Sequence, residues 1–288
     1  MSAARKSTDP GTPIDLTGVA PTLQQGADGV WYPPRHSALD YPDDGNAFCF
    51  QVEDGSFWFR YRNRILIEMV RRFPPPGAIF DIGGGNGFVS RGLGEAGFQA
   101  VVVEPGPVGA RNAVARGLAP VVCATLEDAG FLPGSLPAVG LFDVLEQLPD
   151  DRAVLDSLAR LVPLGGRLYV TVPAFSWLWS DDDDLAGHHR RYTRRALRRL
   201  VEAAGFTVEM DTYLFSPLPL AILALRVLPA ALGLRRPADT ETLKQELTPE
   251  PGLVSAVMTH LLDLEAWWLT HVGAVPFGSS CLLVATRR

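Results

Sequence analysis

One segment, Phe80-Asp81-Ile82-Gly83-Gly84-Gly85-Asn86-Gly87, constrains the fold more than anything else in the chain. It follows a short apolar run, Ala78–Ile82, and opens a stretch from Asn86 to Ala96 with helical spacing. Glycines at alternate positions let the backbone turn sharply and, having no Cβ, approach a ligand closely. Strand, side-chain-free bend and helix in that order begin an open α/β sheet, whose ligands bind at the carboxyl ends of its strands. The rhythm continues, with strands predicted at Phe98–Glu104, Val121–Ala124, Val139–Phe142, Arg167–Val172 and Thr207–Tyr213. Helices are predicted between them at Val108–Arg116, Asp151–Leu161 and Arg194–Ala204. Near-continuous Val/Ile/Leu strands indicate a parallel sheet covered on both faces. A last strand, Ser280–Thr286, is expected antiparallel at or near the sheet edge.

The flanks read differently. Residues 1–28 are rich in Pro, Gly, Thr and Ser and read as a loose arm, followed by aromatic text from Val30 to Phe59. Ser56 is placed to cap a helix running to Phe73, where Pro74-Pro75-Pro76 stops it. Between Leu214 and Phe277 the α/β rhythm breaks. Tyr213–Leu234 carries a single charge, Arg226, and Leu253–Leu269 reads as a helix whose apolar face takes in Val254, Val257, Met258, Leu261, Leu262 and Trp268. Arg235–Gly252 between them reads as a polar linker. The expected organisation is therefore an arm and aromatic extension (1–55), a core (56–213), a helical insertion (214–277) and the last core strand (278–288).

Composition removes several functional classes. With 47% hydrophobic residues the 288-residue chain can build a large core, and a net charge of −6 argues against general nucleic-acid binding. Cys49, Cys123 and Cys281 are too scattered for a zinc site or a disulfide framework. The first ten residues lack the apolar stretch of a signal peptide, so cytoplasm is the expected location. Pro217, Pro219, Pro229 and Arg226 argue against a membrane span in 213–234.

The ligand follows from two carboxylates. Glu104 ends the second strand, 23 residues after Asp81, where an acidic side chain can accept hydrogen bonds from both hydroxyls of a ribose. The bend reads Asp-x-Gly-x-Gly-x-Gly, and Phe88 stands where the dinucleotide fingerprint needs a small residue. Asp81 would repel a phosphate but suits an amino-bearing ligand, which favours S-adenosylmethionine over a dinucleotide.

FDIGGGNG, VVVEPG, LFDVLEQLPDD, LGGRLYVTVPA and GHHRRYT, in this order, resemble the class I S-adenosylmethionine-dependent methyltransferases, and most of all the ubiquinone-biosynthesis-type O-methyltransferases. The resemblance covers about residues 78–213 plus the last strand, and implies a seven-stranded, Rossmann-like, doubly wound sheet with a helical insertion before the last strand. It implies further that Asp81, Gly83 and Gly85 hold the methionine part and Glu104 the ribose. Thr125 and Leu126 would border the adenine, Phe142 and Asp143 would lie beneath the sulfonium, and Trp58 would belong to a helix covering the cofactor. Where relatives read Glu-His and are associated with a divalent metal, this chain has Glu146-Gln147. An amide is a weak ligand and no base, which argues against a metal.

Candidate catalytic groups are Glu146 and, after the fifth strand, His188, His189 and Tyr192: a histidine to take a proton from a hydroxyl, the tyrosine to orient it. Adjacent histidines in an extended loop point apart, so one at most faces a pocket. The arginines from Arg190 to Arg199 form a solvated face or a contact for an acidic partner. The insertion is expected to cap an apolar acceptor pocket, with contact to a membrane surface or to a second subunit as further options. The reading is methyl transfer to a small or medium, lipophilic acceptor, oxygen favoured over carbon or nitrogen. A non-catalytic S-adenosylmethionine-binding partner protein and a nucleotide-binding oxidoreductase stand as alternatives.

Overall fold

The computed structural model describes residues 14–35, 43–234, 244, 247–248 and 252–288, so most of the Arg235–Gly252 linker lies outside the described residues. The strands are β1 (Gln24–Gln25), β2 (Trp31–Tyr32), β3 (Ile79–Ile82), β4 (Ala100–Val103), β5 (Val121–Val122), β6 (Ala138–Phe142), β7 (Arg167–Pro173), β8 (Phe206–Leu214) and β9 (Ser280–Arg287). They form one sheet in the order β1-β2-β5-β4-β3-β6-β7-β9-β8. From β5 to β7 all pairs are parallel, with Ile82 level with Val103 of β4 and Leu141 of β6. The chain reverses direction in the sheet on either side of β3, and such a switch point is where open α/β sheets bind their ligands.

The seven strands expected are β3 to β9, and two short N-terminal strands extend them. Of the expected loose arm, residues 14–28 pack on the core, with Leu16, Ala20 and Leu23 buried, and Trp31 just beyond them pairs with Val122; residues 1–13 lie outside the described residues. Strand β9 lies near the edge and antiparallel, as expected. It inserts antiparallel between β7 and β8, which puts β8 on the edge.

Ten α-helices lie among the described residues: α1 (Asp43–Val52), α2 (Phe57–Arg72), α3 (Phe88–Glu95), α4 (Pro107–Ala115), α5 (Asp151–Leu161), α6 (Asp181–Leu185), α7 (Arg194–Ala203), α8 (Leu218–Ile222), α9 (Leu228–Ala231) and α10 (Leu253–His271). Ser56 Oγ accepts the Trp58 N–H and starts α2, which ends at Phe73 before the proline run. Alternation along β3 divides the core. Phe80 and Ile82 face a layer with Val103, Leu141 and Leu197, while Ile79 faces α2, α3 and α10 through Ile65, Leu93 and Leu269.

A π-turn, Leu223–Val227, joins α8 to α9. The face predicted for α10 is corrected. Leu262, Ala266 and Leu269 are buried with Met258 partly so, whereas Val257, Leu261 and Trp268 are exposed. Leu220, Leu225 and Leu228 of α8 to α9 are exposed too. Arg226 pairs with Asp182 of α6, tying the insertion to the loop after β7. No helix among the described residues is long and apolar enough to cross a membrane.

Candidate functional site at the carboxyl edge of the sheet

At the ends of β3 and β4, Gly83, Gly85 and Gly87 have φ of +69°, +53° and +75°. A Cβ on Gly83 would stand 2.7 Å from Val144, whereas one on Gly85 would meet only Asn46 Oδ1 at 3.6 Å, so Gly85 borders open space. The bend is fastened to Glu104, which is 4% exposed. Its carboxylate accepts the N–H groups of Gly85 and Gly106, each at 2.8 Å, and Asn46 Nδ2 at 3.4 Å. Burial raises its pKa while those bonds pull it down. Asp81 is buried in β3 and accepts the Ser90 hydroxyl at 2.8 Å; burial pushes it up to about 6.

Helix α1 lies across this bend. The backbone carbonyl of Asn46 accepts Asn86 Nδ2 at 2.9 Å, Asn86 Oδ1 accepts from Asn112 at 2.8 Å, and the buried Glu53–Arg116 pair closes the network at 2.6 Å. Sequence reasoning missed these residues, since nothing local to Asn46 or Glu53 signals a partner some 50 residues on. Thr125 and Leu126, half-buried, start the turn after β5, where Thr125 Oγ1 accepts the Asp128 N–H at 3.0 Å.

The ends of β6, β7 and β8 form a second cluster. Phe142 ends β6, its ring seated where a Cβ on Gly140 would stand. Asp143, Phe175 and Phe215, just past these strands, have φ of 59°, 59° and 60°. Each such non-glycine residue costs about 1–3 kcal/mol and has to be held by its surroundings. Phe215 is held by Glu265 of α10, whose Oε1 accepts the Phe215 N–H at 2.7 Å and the Tyr61 hydroxyl at 2.6 Å, while Oε2 accepts the Ser216 N–H at 2.5 Å. The Phe215 ring stacks on Trp58 at 5.5 Å. Arg62 of α2 lies over Trp58 at 4.6 Å and pairs with Asp143.

Glu146 is fully buried and neither oxygen has a hydrogen-bond partner. Burial, then the charge of Asp143, raises it well above the ordinary carboxylate range. An unpaired buried polar group costs about 1–3 kcal/mol. His188 Nε2 stands 3.8 Å from Glu146, and His188 Nδ1 is 2.8 Å from Asp183. Burial works against the charge on Asp183, yet hydrogen bonds from His188 and Arg191 hold it below the usual value. His189 is exposed, giving only its backbone N–H to the Glu146 carbonyl at 2.8 Å. The Tyr192 hydroxyl is bound to Asp151 at 2.8 Å, which ties the strand bridge at Ala174 to α5. The structure thus brings Trp58, Asp143, Glu146 and His188 together and turns His189 and Tyr192 elsewhere. Of the arginine cluster, Arg194 and Arg198 pair with Asp211, while Arg195 and Arg199 are exposed.

The positions at which the sequence resemblance implies a divalent metal do not suit one here. Asp143 is paired with a guanidinium, and Gln147 turns its amide N–H to the Asp143 carbonyl at 3.3 Å. Among the described residues no three His, Cys, Asp or Glu side chains gather as a metal set.

Residues 56–210, more than half of the chain, match the methyltransferase domain family, and the chain belongs to that family. It is 30% identical over 117 residues to a ubiquinone biosynthesis O-methyltransferase of Xylella fastidiosa, covering 38% of this chain and 48% of that one. The chain thus spans about half the length of that curated relative. A chain in the complex of the Haloferax volcanii Trm112 methyltransferase activator with a methyltransferase superimposes with a TM-score of 0.55, at 18% identity over 87% of this chain and 97% of that one. Phosphoethanolamine N-methyltransferase 2 of Haemonchus contortus, in complex with S-adenosyl-L-methionine, gives 0.51 at 17% identity over 89% and 61%. The fold is that of the class I, Rossmann-like methyltransferases.

Proposed function

We propose that this protein is an S-adenosylmethionine-dependent methyltransferase acting on an oxygen of a small or medium, lipophilic acceptor. The observation that carries the reading is the pairing of Asp81 and Glu104 around three left-handed glycines at the switch point of the sheet. Asp81, Gly83 and Gly85 would hold the amino-acid end, Glu104 the ribose, Thr125 and Leu126 the adenine, and Phe142, Asp143 and Trp58 the region around sulfur. The ribose hydroxyls would take over from Asn46, whose 3.4 Å bond to Glu104 is the longest of the three that the carboxylate accepts. The match to an O-methyltransferase supports oxygen, and the exposed leucines of α8 to α9 support an apolar acceptor.

S-adenosylmethionine supplies a methyl group on a cationic sulfur. Bound there, it would supply an electrophilic methyl group to the acceptor oxygen and leave as S-adenosylhomocysteine, while His188 Nε2 would take the hydroxyl proton. Asp183 fixes the imidazole for this by engaging Nδ1. Alignment supplies about 7–11 kcal/mol of such a barrier and a base about 3–5, so the walls matter more than the histidine.

Calorimetry with S-adenosylhomocysteine tests the reading. The parent protein should bind it and not NAD, and Glu104→Ala should not. Binding of NAD alone, or equal binding by both proteins, overturns it; binding without turnover of any acceptor marks a non-catalytic partner protein.

A further inference from the structure

Arg62 is an anomaly on its helix. Its neighbours on the inner face of α2, Tyr61, Ile65, Leu66 and Met69, are aromatic or aliphatic, yet the Arg62 side chain is buried with them at 8% exposure. One terminal nitrogen meets Asp143, and the guanidinium face rests on Trp58 and Phe59 at 4.6 and 5.3 Å. Its Nε–H is buried without a partner. Three residues beyond Asp143, both oxygens of Glu146 are buried without partners as well. An unpaired donor and an unpaired carboxyl thus flank the same aspartate, at the strand end expected beneath the sulfur.

We propose that Arg62 binds the acceptor oxygen through its free Nε–H, supplies the positive charge beside the oxygen as it loses its proton, and thereby restricts the site to hydroxyl acceptors. The proposal deepens the function proposed above and rests on it. Lone pairs decide the selectivity. A hydroxyl oxygen has two, so one can accept from Arg62 while the other attacks the methyl carbon, and its hydrogen can meet Glu146 or His188. A neutral amine has one lone pair, which cannot serve both purposes, and a protonated amine has none and would face a guanidinium. As the oxygen gives up its proton, the adjacent guanidinium stabilises the charge left behind. A divalent cation beside Asp143 would be repelled by the same group.

The test uses skeleton-matched pairs, octanol with octylamine and octylphenol with octylaniline, offered with S-adenosylmethionine while release of S-adenosylhomocysteine is followed. The wild type should turn over hydroxyl members and not amines, with no response to a chelator. Arg62→Gln should lower kcat/KM for the hydroxyl members about 100-fold, and Arg62→Lys, which keeps the charge, should recover at least tenfold of that. Affinity for S-adenosylhomocysteine should stay within threefold in both variants, which also shows that they fold. Equal turnover of amines, no turnover of any hydroxyl member, a chelator-sensitive rate restored by magnesium, or hydroxyl turnover unchanged in Arg62→Gln would overturn the proposal. A wild type that fails to bind S-adenosylhomocysteine overturns instead the function on which it rests.

Discussion

The two halves of the sheet's carboxyl edge are built on opposite terms. At the ends of β3 and β4 the left-handed positions are glycines, and Asp81, Glu104 and Asn86 all have hydrogen-bond partners. At the ends of β6, β7 and β8 the same backbone conformation is imposed on Asp143, Phe175 and Phe215, and Arg62 and Glu146 keep unpaired buried atoms. In the first half the backbone is unstrained and these polar side chains are all paired. The second holds strain and unsatisfied polarity, which mark places where a bound group completes the structure. On the proposed function the former would hold the amino-acid end and the ribose of the cofactor, and the latter would border its sulfur and select the acceptor.

Substitutions should separate the halves. Glu104→Ala should have the largest effect, weakening S-adenosylhomocysteine about 1000-fold in calorimetry, since two hydroxyls lose charge-assisted bonds. Asp183→Asn should leave that affinity unchanged and lower kcat about 100-fold, because His188 loses the charge that orients it. Equal damage to affinity would merge the halves.

Asp81 sharpens the contrast through pH. Burial raises its folded pKa from 3.8 to about 6, so its contribution to stability is complete below pH 4 and lost as pH rises through 6. The loss amounts to about 3 kcal/mol. Asp81→Asn should therefore melt higher than the parent at pH 8, with the gap closing near pH 4. Cofactor affinity should run the other way, weakening about tenfold per pH unit below 6 as the carboxylate that faces the amino group is neutralised. Parallel trends would remove Asp81 from the site. The smallest effect belongs to Asn46→Ala, which frees Glu104 of a long bond and should tighten S-adenosylhomocysteine about threefold.

The legibility of the sequence divides along the same line. Asp81, the glycines and Glu104 announce themselves because a strand, a bend and a helix put them at fixed spacing. Arg62 does not, since Phe57-Trp58-Phe59-Arg60-Tyr61-Arg62 offers two arginines and no pattern saying which turns inward. Glu265 reaches Phe215 from 50 residues away. Helix α10 misled because it is apolar around most of its circumference, so periodicity names no face. Strands β1 and β2 have two residues each, too short for alternation to show.

Strand β9 fills the gap between β7 and β8, and that has a consequence for biosynthesis. Both neighbours leave the ribosome before the stretch from 214 to 280, which takes about 3–13 s to translate at roughly 5–20 residues per second. The glycine receptacle can assemble while β7 still shows an open edge, the kind of surface that invites wrong pairing. Nascent chains halted within the insertion should therefore capture the cofactor before they can carry out catalysis, and should be most vulnerable to aggregation at that moment.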